Sequence, residues 1–220
     1  VCGGIAVYKT LDIVSALRKK NVEVRVIMTK SATEFVTPLT FQSISQNMVI
    51  TDMFAEPKAW EIQHISLAQK ADVMLVAPAT ANIIGKVANG IADDMLSTTI
   101  MATKAKVIFA PAMNTGMYEN PIVQANIKKL KELGYEFIEP DSGRLACGDI
   151  GKGKFPKPEV IFEHVLTELY PVKNLKGKKV LVLGNGGASQ AIQAVVHDLG
   201  ACEMIITDLL LKDNIISIEE

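Results

Sequence analysis

Five short runs, at positions 23–28, 72–77, 106–110, 135–138 and 178–183, are rich in aliphatic and β-branched residues in near-continuous order rather than in alternation. A strand with one wet face alternates, whereas a strand covered on both faces does not, and strands of the second kind belong to parallel sheets. Longer stretches at 5–20, 31–45, 80–89, 93–103, 121–134 and 158–170 carry helical spacing and several recognisable caps. Strands alternating with helices predict an α/β fold: a doubly wound parallel sheet with helices on both faces. In 220 residues, 49% of them hydrophobic, there is room for one substantial core and a small appendage. Ligands of such sheets gather beyond the carboxyl ends of the strands, so the strand-to-helix loops are where chemistry is sought.

Those loops hold the unusual sequence. The first, GGIAVYK at 3–9, opens a helix with two glycines. Glycine lets the backbone approach a ligand, and the free amides and positive end of the following helix suit a phosphate. It is not a GxGxxG dinucleotide fingerprint, and a plain tight turn explains it equally well. Thr29 and Ser31 follow the second run, offering two hydroxyls to the same phosphate; a cap at Ser31 is the simpler reading. The third loop, APATANIIGK at 77–86, ends a strand in small residues that leave space for a flat ring, although Thr80 also reads as a helix start. The fourth, PAMNTGMYENP at 111–121, presents Asn114, whose amide can both donate to and accept from a substrate.

Residues 143–154 read GRLACGDIGKGK, a loop with five glycines or alanines in twelve positions and a single thiol, Cys147. So flexible a stretch is poor core material and better suited to closing over a pocket and delivering a proton or a nucleophile. His64 lies in EIQHISLA; a satisfied structural histidine is the commoner outcome, and a base near neutrality is the functional one. No histidine–cysteine spacing suits zinc, and no GxSxG elbow is present. Three widely spaced cysteines, Cys2, Cys147 and Cys202, argue against a disulfide framework and for the cytoplasm. A formal net charge of -1 offers no general attraction to nucleic acid or anionic membrane. No apolar run reaches the roughly 20 residues that cross a bilayer. The chain opens at Val1, directly before the glycine pair, and reads as cut inside its first strand.

Taken in order, GGIAVYK, the histidine of EIQHISLA, APATAN, GIADDMLSTT, PAMNTGMY and GRLACGDIGKGK form a constellation that resembles the phosphopantothenoylcysteine decarboxylases, a flavoprotein family that in bacteria is often fused to a synthetase. The resemblance covers residues 1–170. It departs from the family pattern at Tyr118, where tryptophan is usual, and at Lys154, where arginine is common and would bind a phosphate bidentately.

The resemblance implies a flavodoxin-like or Rossmann-like three-layer flavoprotein. Its FMN phosphate would rest on the amides of Gly4, Ile5 and Ala6 and on Ser31, with its ring near Phe35 and the loop of Thr80, Ala81, Asn82 and Ile83. It implies a homo-oligomer built on trimers, with a neighbouring subunit completing the pocket. Asn114 would hold the substrate carboxylate and amide, and Ala146 would add backbone contacts. His64 would act as the base that promotes oxidation, and Cys147 as the acid of the last, reductive step. The substrate would be a phosphorylated cysteine conjugate on the way to coenzyme A. Two other readings share these motifs: a decarboxylase of C-terminal peptide cysteine, against which the LACG flap argues, and a non-catalytic flavin-binding subunit, against which the joint presence of His64, Asn114 and Cys147 argues.

The expected layout is an FMN-binding domain at 1–170, a linker at 171–177 and a partial Rossmann-like segment at 178–220. That segment opens KKVLVLGNGGAS, whose loop resembles the NADP loop of shikimate dehydrogenases. A GxGGA loop at a strand end can hold a pyrophosphate. Roughly half a Rossmann unit with no substrate domain reads instead as a truncated or joined fragment that packs without activity.

Overall fold

In a computed structural model of the protein the residues described are 1–54, 62–170, 179–183, 187–199, 201, 203–207 and 214–216. They fall into two compact units, Val1–Leu169 and Tyr170–Glu220.

The first unit runs α1 (Val7–Lys19), α2 (Lys30–Thr33), α3 (Pro38–Ser45), α4 (Gln63–Lys70), β1 (Val73–Ala79), α5 (Ala81–Ala88), α6 (Met95–Ala102), β2 (Lys106–Pro111), α7 (Thr115–Tyr118), α8 (Pro121–Glu132), β3 (Glu136–Phe137), β4 (Asp141–Arg144), β5 (Ile150–Lys154) and α9 (Pro158–Leu169). Strands β1, β2 and β3 lie side by side and parallel, with Val76 opposite Phe109 and Phe109 opposite Phe137. Successive strand residues point to opposite faces, so an all-apolar strand feeds two cores. That is what happens here. Val76 and Phe109 pack with Ile83, Ile84, Leu96, Ile100, Ile127 and Leu130 from α5, α6 and α8. Their neighbours Ala77 and Ile108 pack with Ile13, Leu17, Ile161 and Val165 from α1 and α9. The α/β fold with helices on both faces of a parallel sheet is thus the one the apolar runs dictate.

Two expected elements differ. The run at 23–28 forms a single parallel bridge, Ile27 to Ile50, in place of a full strand. Met28 N–H donates to the Ile50 carbonyl at 2.9 Å, Ile50 N–H donates to Val26, and Thr29 N–H donates to Val1 at 3.0 Å. Only its second half is buried; Glu23 and Arg25 are exposed and pair with each other at 2.8 Å, so the first half has no second face to bury. The single helix expected at 31–45 is two, α2 and α3. Pro38 opens α3, and Thr37 before it is extended, as a residue preceding proline is driven to be.

The flexible loop expected at 143–154 is instead an antiparallel hairpin of β4 and β5, with Gly143 opposite Gly151 and Arg144 opposite Ile150. Its tip is a turn in which Leu145 N–H donates to the Asp149 carbonyl and Gly148 N–H donates back to Leu145. Gly148 has φ +95°, a conformation glycine adopts without the strain other residues meet.

The second unit contains β6 (Lys179–Leu183), α10 (Gly187–Asp198), β7 (Glu203–Thr207) and β8 (Asn214–Ile216). β6 and β7 pair in parallel and β8 returns antiparallel, around a small core of Val182, Val196, Ala201 and Met204. The strand–helix–strand appendage is therefore present. The linker at 171–177, Lys178, Cys202 and residues 184–186 of the glycine loop lie outside the described residues. Among the described residues no helix is long and apolar enough to cross a membrane.

Phe109 is fully buried at the centre of the sheet and stacks on Phe137 with ring centroids 5.0 Å apart. Phe109→Ala is expected to destabilise the first unit by about 3–5 kcal/mol, read as a lower urea midpoint at unchanged slope.

Candidate active site

The turn before α1 leaves backbone donors free. Val7 N–H donates to Gly4 at 3.0 Å, but the amides of Gly4, Ile5 and Ala6 meet no acceptor among the described residues, and no side chain caps the helix. Ala6 is the N-cap of the 13-residue α1 and Gly4 and Ile5 lead into it, where the helix dipole adds positive potential. A Cβ on Gly3 would lie 2.5 Å from that of Ser31, so only glycine lets the two loops meet, whereas beside Gly4 there is open space. Thr29, not Ser31, caps α2, accepting from Ala32 N–H at 3.3 Å. Ser31 is exposed and its hydroxyl has no partner among the described residues, so it is available beside the turn. Three amides and one hydroxyl around a gap suit a phosphate.

Phe35 is 51% exposed. Thr80 caps α5, accepting from Ile83 N–H at 3.5 Å. Ile83 is 1% exposed, its side chain committed to the core and its amide to Thr80; Ala81 and Asn82 are what this loop leaves for a ligand. Cys2 is buried beneath, and burial pushes its thiol up, which keeps it neutral. A separate cavity of about 570 Å³ is lined by Lys30, Thr33, Asp52, Phe54, Asp93 and Asp94 among others. Three carboxylates make it a poor phosphate site, and neither Asn114 nor Cys147 lines it.

The hairpin of β4 and β5 is seated directly on the Asn114 loop. Met113 N–H donates to the Gly153 carbonyl at 3.0 Å. A Cβ on Gly151 would lie 2.6 Å from the Thr115 side chain, and one on Gly153 would strike the Met113 carbonyl. The alternate glycines of GKGK therefore allow two backbones to touch. This contact carries the hairpin tip to Asn114. The Asn114 Nδ2 group donates to Asp149 Oδ2 at 2.7 Å and lies 3.4 Å from Cys147 Sγ, while the thiol donates to the same Asp149 oxygen at 3.4 Å. Asn114 Oδ1 accepts from Gly116 N–H at 2.8 Å, which locks the orientation of the amide.

A second contact ties the hairpin down. Lys152, between the two glycines, places its ammonium 2.8 Å from Glu139, which also takes Lys131 at 2.7 Å and the Tyr118 hydroxyl at 3.0 Å. Lys152 further lies 5.6 Å from the centre of the Tyr118 ring. The Lys131 and Lys152 ammoniums hold the Glu139 carboxyl down at about 2. Burial and the neighbouring Glu139 charge push Tyr118 up to about 12. Tyr118 thus keeps an aromatic face at this position and adds a hydroxyl that indole lacks.

The structure brings Asn114, Cys147 and Ala146 together at the hairpin tip. His64 stands elsewhere, half-buried in the first turn of α4, and among the described residues nothing bonds it to Asn114 or Cys147. Asp149 and Glu139 were not singled out from the sequence. The signal for Asp149 is its place two residues after the thiol; Glu139 has no local signal, because its three partners come from α7, α8 and β5. A further charged cluster, Glu136, His164 and Glu168, is held by the Lys106 ammonium, 2.6 Å from Glu136 and 2.8 Å from Glu168. That is an ion-pair network, its centre already filled by a cation.

A three-layer α/β unit with unpartnered backbone amides at the start of its first helix and a hairpin seated on a neighbouring loop suits small-molecule flavin and nucleotide binding. Within that class the chain belongs to the Flavoprotein family, whose model matches residues 1–170. It is 50% identical over 199 residues to the coenzyme A biosynthesis bifunctional protein CoaBC of Bacillus subtilis, a match covering 89% of this chain and 48% of that protein. The chain thus spans about half the length of the curated relatives it matches. Among solved structures it is similar to a cysteine-to-serine mutant of PPC decarboxylase complexed with pantothenoylaminoethenethiol, with 32% identity, a TM-score of 0.67, and coverage of 75% of this chain and 92% of that one. It is also similar to the FMN-dependent cysteine decarboxylase SpaF, with 30% identity, a TM-score of 0.65, and coverage of 76% and 93%.

The Glu139 carboxyl is held below its ordinary 4.5, so its contribution is complete above that pH and is lost as pH falls toward about 2. Glu139→Gln is expected to lower Tm slightly at neutral pH, since the pairs are half-exposed. The difference from the parent should shrink between pH 5 and about 2, as read by thermal unfolding across that range.

Proposed function

We propose that the chain is an FMN-dependent carboxy-lyase that converts 4'-phospho-N-pantothenoylcysteine to 4'-phosphopantetheine in coenzyme A biosynthesis. The observation that carries this reading is the meeting of Asn114 and Cys147 at the hairpin tip of a Flavoprotein-family chain. Its support in the comparisons is the similarity to CoaBC, to PPC decarboxylase and to an FMN-dependent cysteine decarboxylase.

The amides of Gly4, Ile5 and Ala6 and the Ser31 hydroxyl would hold the FMN phosphate, with Phe35, Thr80, Ala81 and Asn82 along the rest of the cofactor and Ile83 supporting that loop from the core. Those free donors and the gap beside Gly4 fit a phosphate monoester. When bound, FMN supplies a two-electron acceptor, and later donor, of hydride, without which a cysteine carboxylate has no electron sink for the loss of carbon dioxide.

The chain's own residues do the rest. Asn114 orients the substrate carboxylate by hydrogen bonds and, being neutral, stabilises its charge less than a cation would, so that departure as carbon dioxide is opposed less. Ala146 contributes backbone contacts from the hairpin tip. His64 takes the proton that must leave as the carbon bearing sulfur is oxidised to a thioaldehyde. Loss of carbon dioxide then leaves an enethiolate. Cys147 donates a proton to its other carbon as hydride returns, and the resulting thiolate regains a proton from water.

His64 and the Asn114 cluster are unconnected within the described residues, and Ile5, Phe35, Leu39 and Phe54 are all more than half exposed. Both features support a homo-oligomer in which a neighbouring subunit completes the pocket; that it is built on trimers rests on the family resemblance alone. The assignment carries with it residues 1–170 as the catalytic domain, a cytoplasmic setting, and a small-molecule substrate rather than nucleic acid or membrane.

Cys147→Ser is expected to keep oxidative decarboxylation and to stall before the last reduction. Carbon dioxide should still be released and the unsaturated enethiol should accumulate in place of 4'-phosphopantetheine, with the yield of the reduced product falling at least tenfold, about 1.4 kcal/mol. Product analysis by mass spectrometry distinguishes the two; normal yield of the saturated thiol from the variant would contradict the role given to Cys147.

A further inference from the structure

Both ends of the Asn114 amide are engaged. Its Oδ1 accepts from Gly116, and its Nδ2 lies 2.7 Å from Asp149 Oδ2 and 3.4 Å from Cys147 Sγ. An asparagine side chain has no third donor. A substrate carboxylate that bonds to Nδ2 therefore competes with what is there. The occupant is itself a carboxylate, bound at the shorter, charge-assisted distance.

Resting on the function proposed above, we infer that Asp149 is a positioning residue that stands in for the substrate carboxylate at Asn114 and so couples the hairpin tip to the loss of carbon dioxide. Two carboxylates cannot share one N–H without strong repulsion. Entry of the substrate carboxylate expels Asp149, and the thiol that donates to Asp149 moves away with it. Departure of carbon dioxide empties the place on Asn114. Asp149 returns to it and carries the Cys147 thiol back to the carbon that now needs a proton. The exchange moves no electrons and breaks no covalent bond; it sets the order in which the acid arrives. The seat of the hairpin makes the movement local. Gly151 and Gly153 are fixed against Thr115 and Met113, and Lys152 against Glu139, whereas the tip residues 146–149 are exposed.

The test uses the flavin-loaded full chain with Asp149→Ala and Asp149→Asn. The probe is the alanine analogue of the substrate, which keeps the carboxylate and has no sulfur to oxidise; the reference ligand is 4'-phosphopantetheine, which has no carboxylate. By calorimetry, Asp149→Ala should bind the analogue severalfold tighter than the parent does and bind 4'-phosphopantetheine unchanged. Asp149→Asn, neutral but still able to bond Asn114, should fall between. In turnover, the fraction of product released as oxidised enethiol should rise in Asp149→Ala, because the thiol is no longer carried back. A loss of hairpin structure alone would weaken both ligands together. Equal or weaker binding of the analogue by Asp149→Ala, or an oxidised fraction equal to the parent's, overturns the inference. Failure of the parent to release carbon dioxide would instead contradict the proposed function, and the calorimetric comparison would still judge the role of Asp149.

Discussion

The hydrogen bond from Met113 N–H to the Gly153 carbonyl joins two pieces of chain that are 40 residues apart and otherwise belong to different parts of the unit. One is the loop leaving β2, whose place is set by the sheet; the other is a hairpin with no core of its own. They meet backbone to backbone, which requires glycine at 151 and 153, since a Cβ at either would collide with Thr115 or Met113. Everything at the candidate catalytic end follows from that contact. It brings Cys147, Asp149 and Asn114 within hydrogen-bonding distance of one another, and it leaves Lys152 to reach Glu139, where two ammoniums and a phenol converge on one carboxylate. A hairpin so short is marginal by itself and owes its order to what it rests on.

Much of the fold was legible because burial on both faces writes itself into a strand directly. The runs containing Val76, Ala77, Ile108 and Phe109 serve two cores and are apolar for that reason. The run at 23–28 was less legible, since Glu23 and Arg25 break the pattern and the segment reduces to one bridge. The break at Pro38 was available from the proline itself. The hairpin was not, because its stability comes from a partner loop and not from any alternation in GRLACGDIGKGK. Glycines that read as flexibility are, in the structure, positions of close approach.

The candidate site divides in the same way. Asn114 and Cys147 stood out as polar side chains in loops at strand ends, and the structure puts them side by side. The role of Ser31 as a cap did not hold, because Thr29 takes it and leaves the Ser31 hydroxyl beside Gly3. Asp149 carries only the weak signal of its place two residues after the thiol, and Glu139 is visible only in three dimensions, since its partners come from three separate elements. His64 remains separate from the Asn114 cluster among the described residues of the single chain, and a second subunit is proposed to join them.

The central claim is that the turn at Gly4, Ile5 and Ala6 holds FMN in a chain whose hairpin then acts on the substrate. Its most direct test is the visible absorbance spectrum of the purified chain after addition of FMN and removal of the excess, combined with quantitation of the cofactor released on denaturation. Flavin bands at one FMN per chain are expected. A chain that stays colourless after saturation with FMN would contradict it.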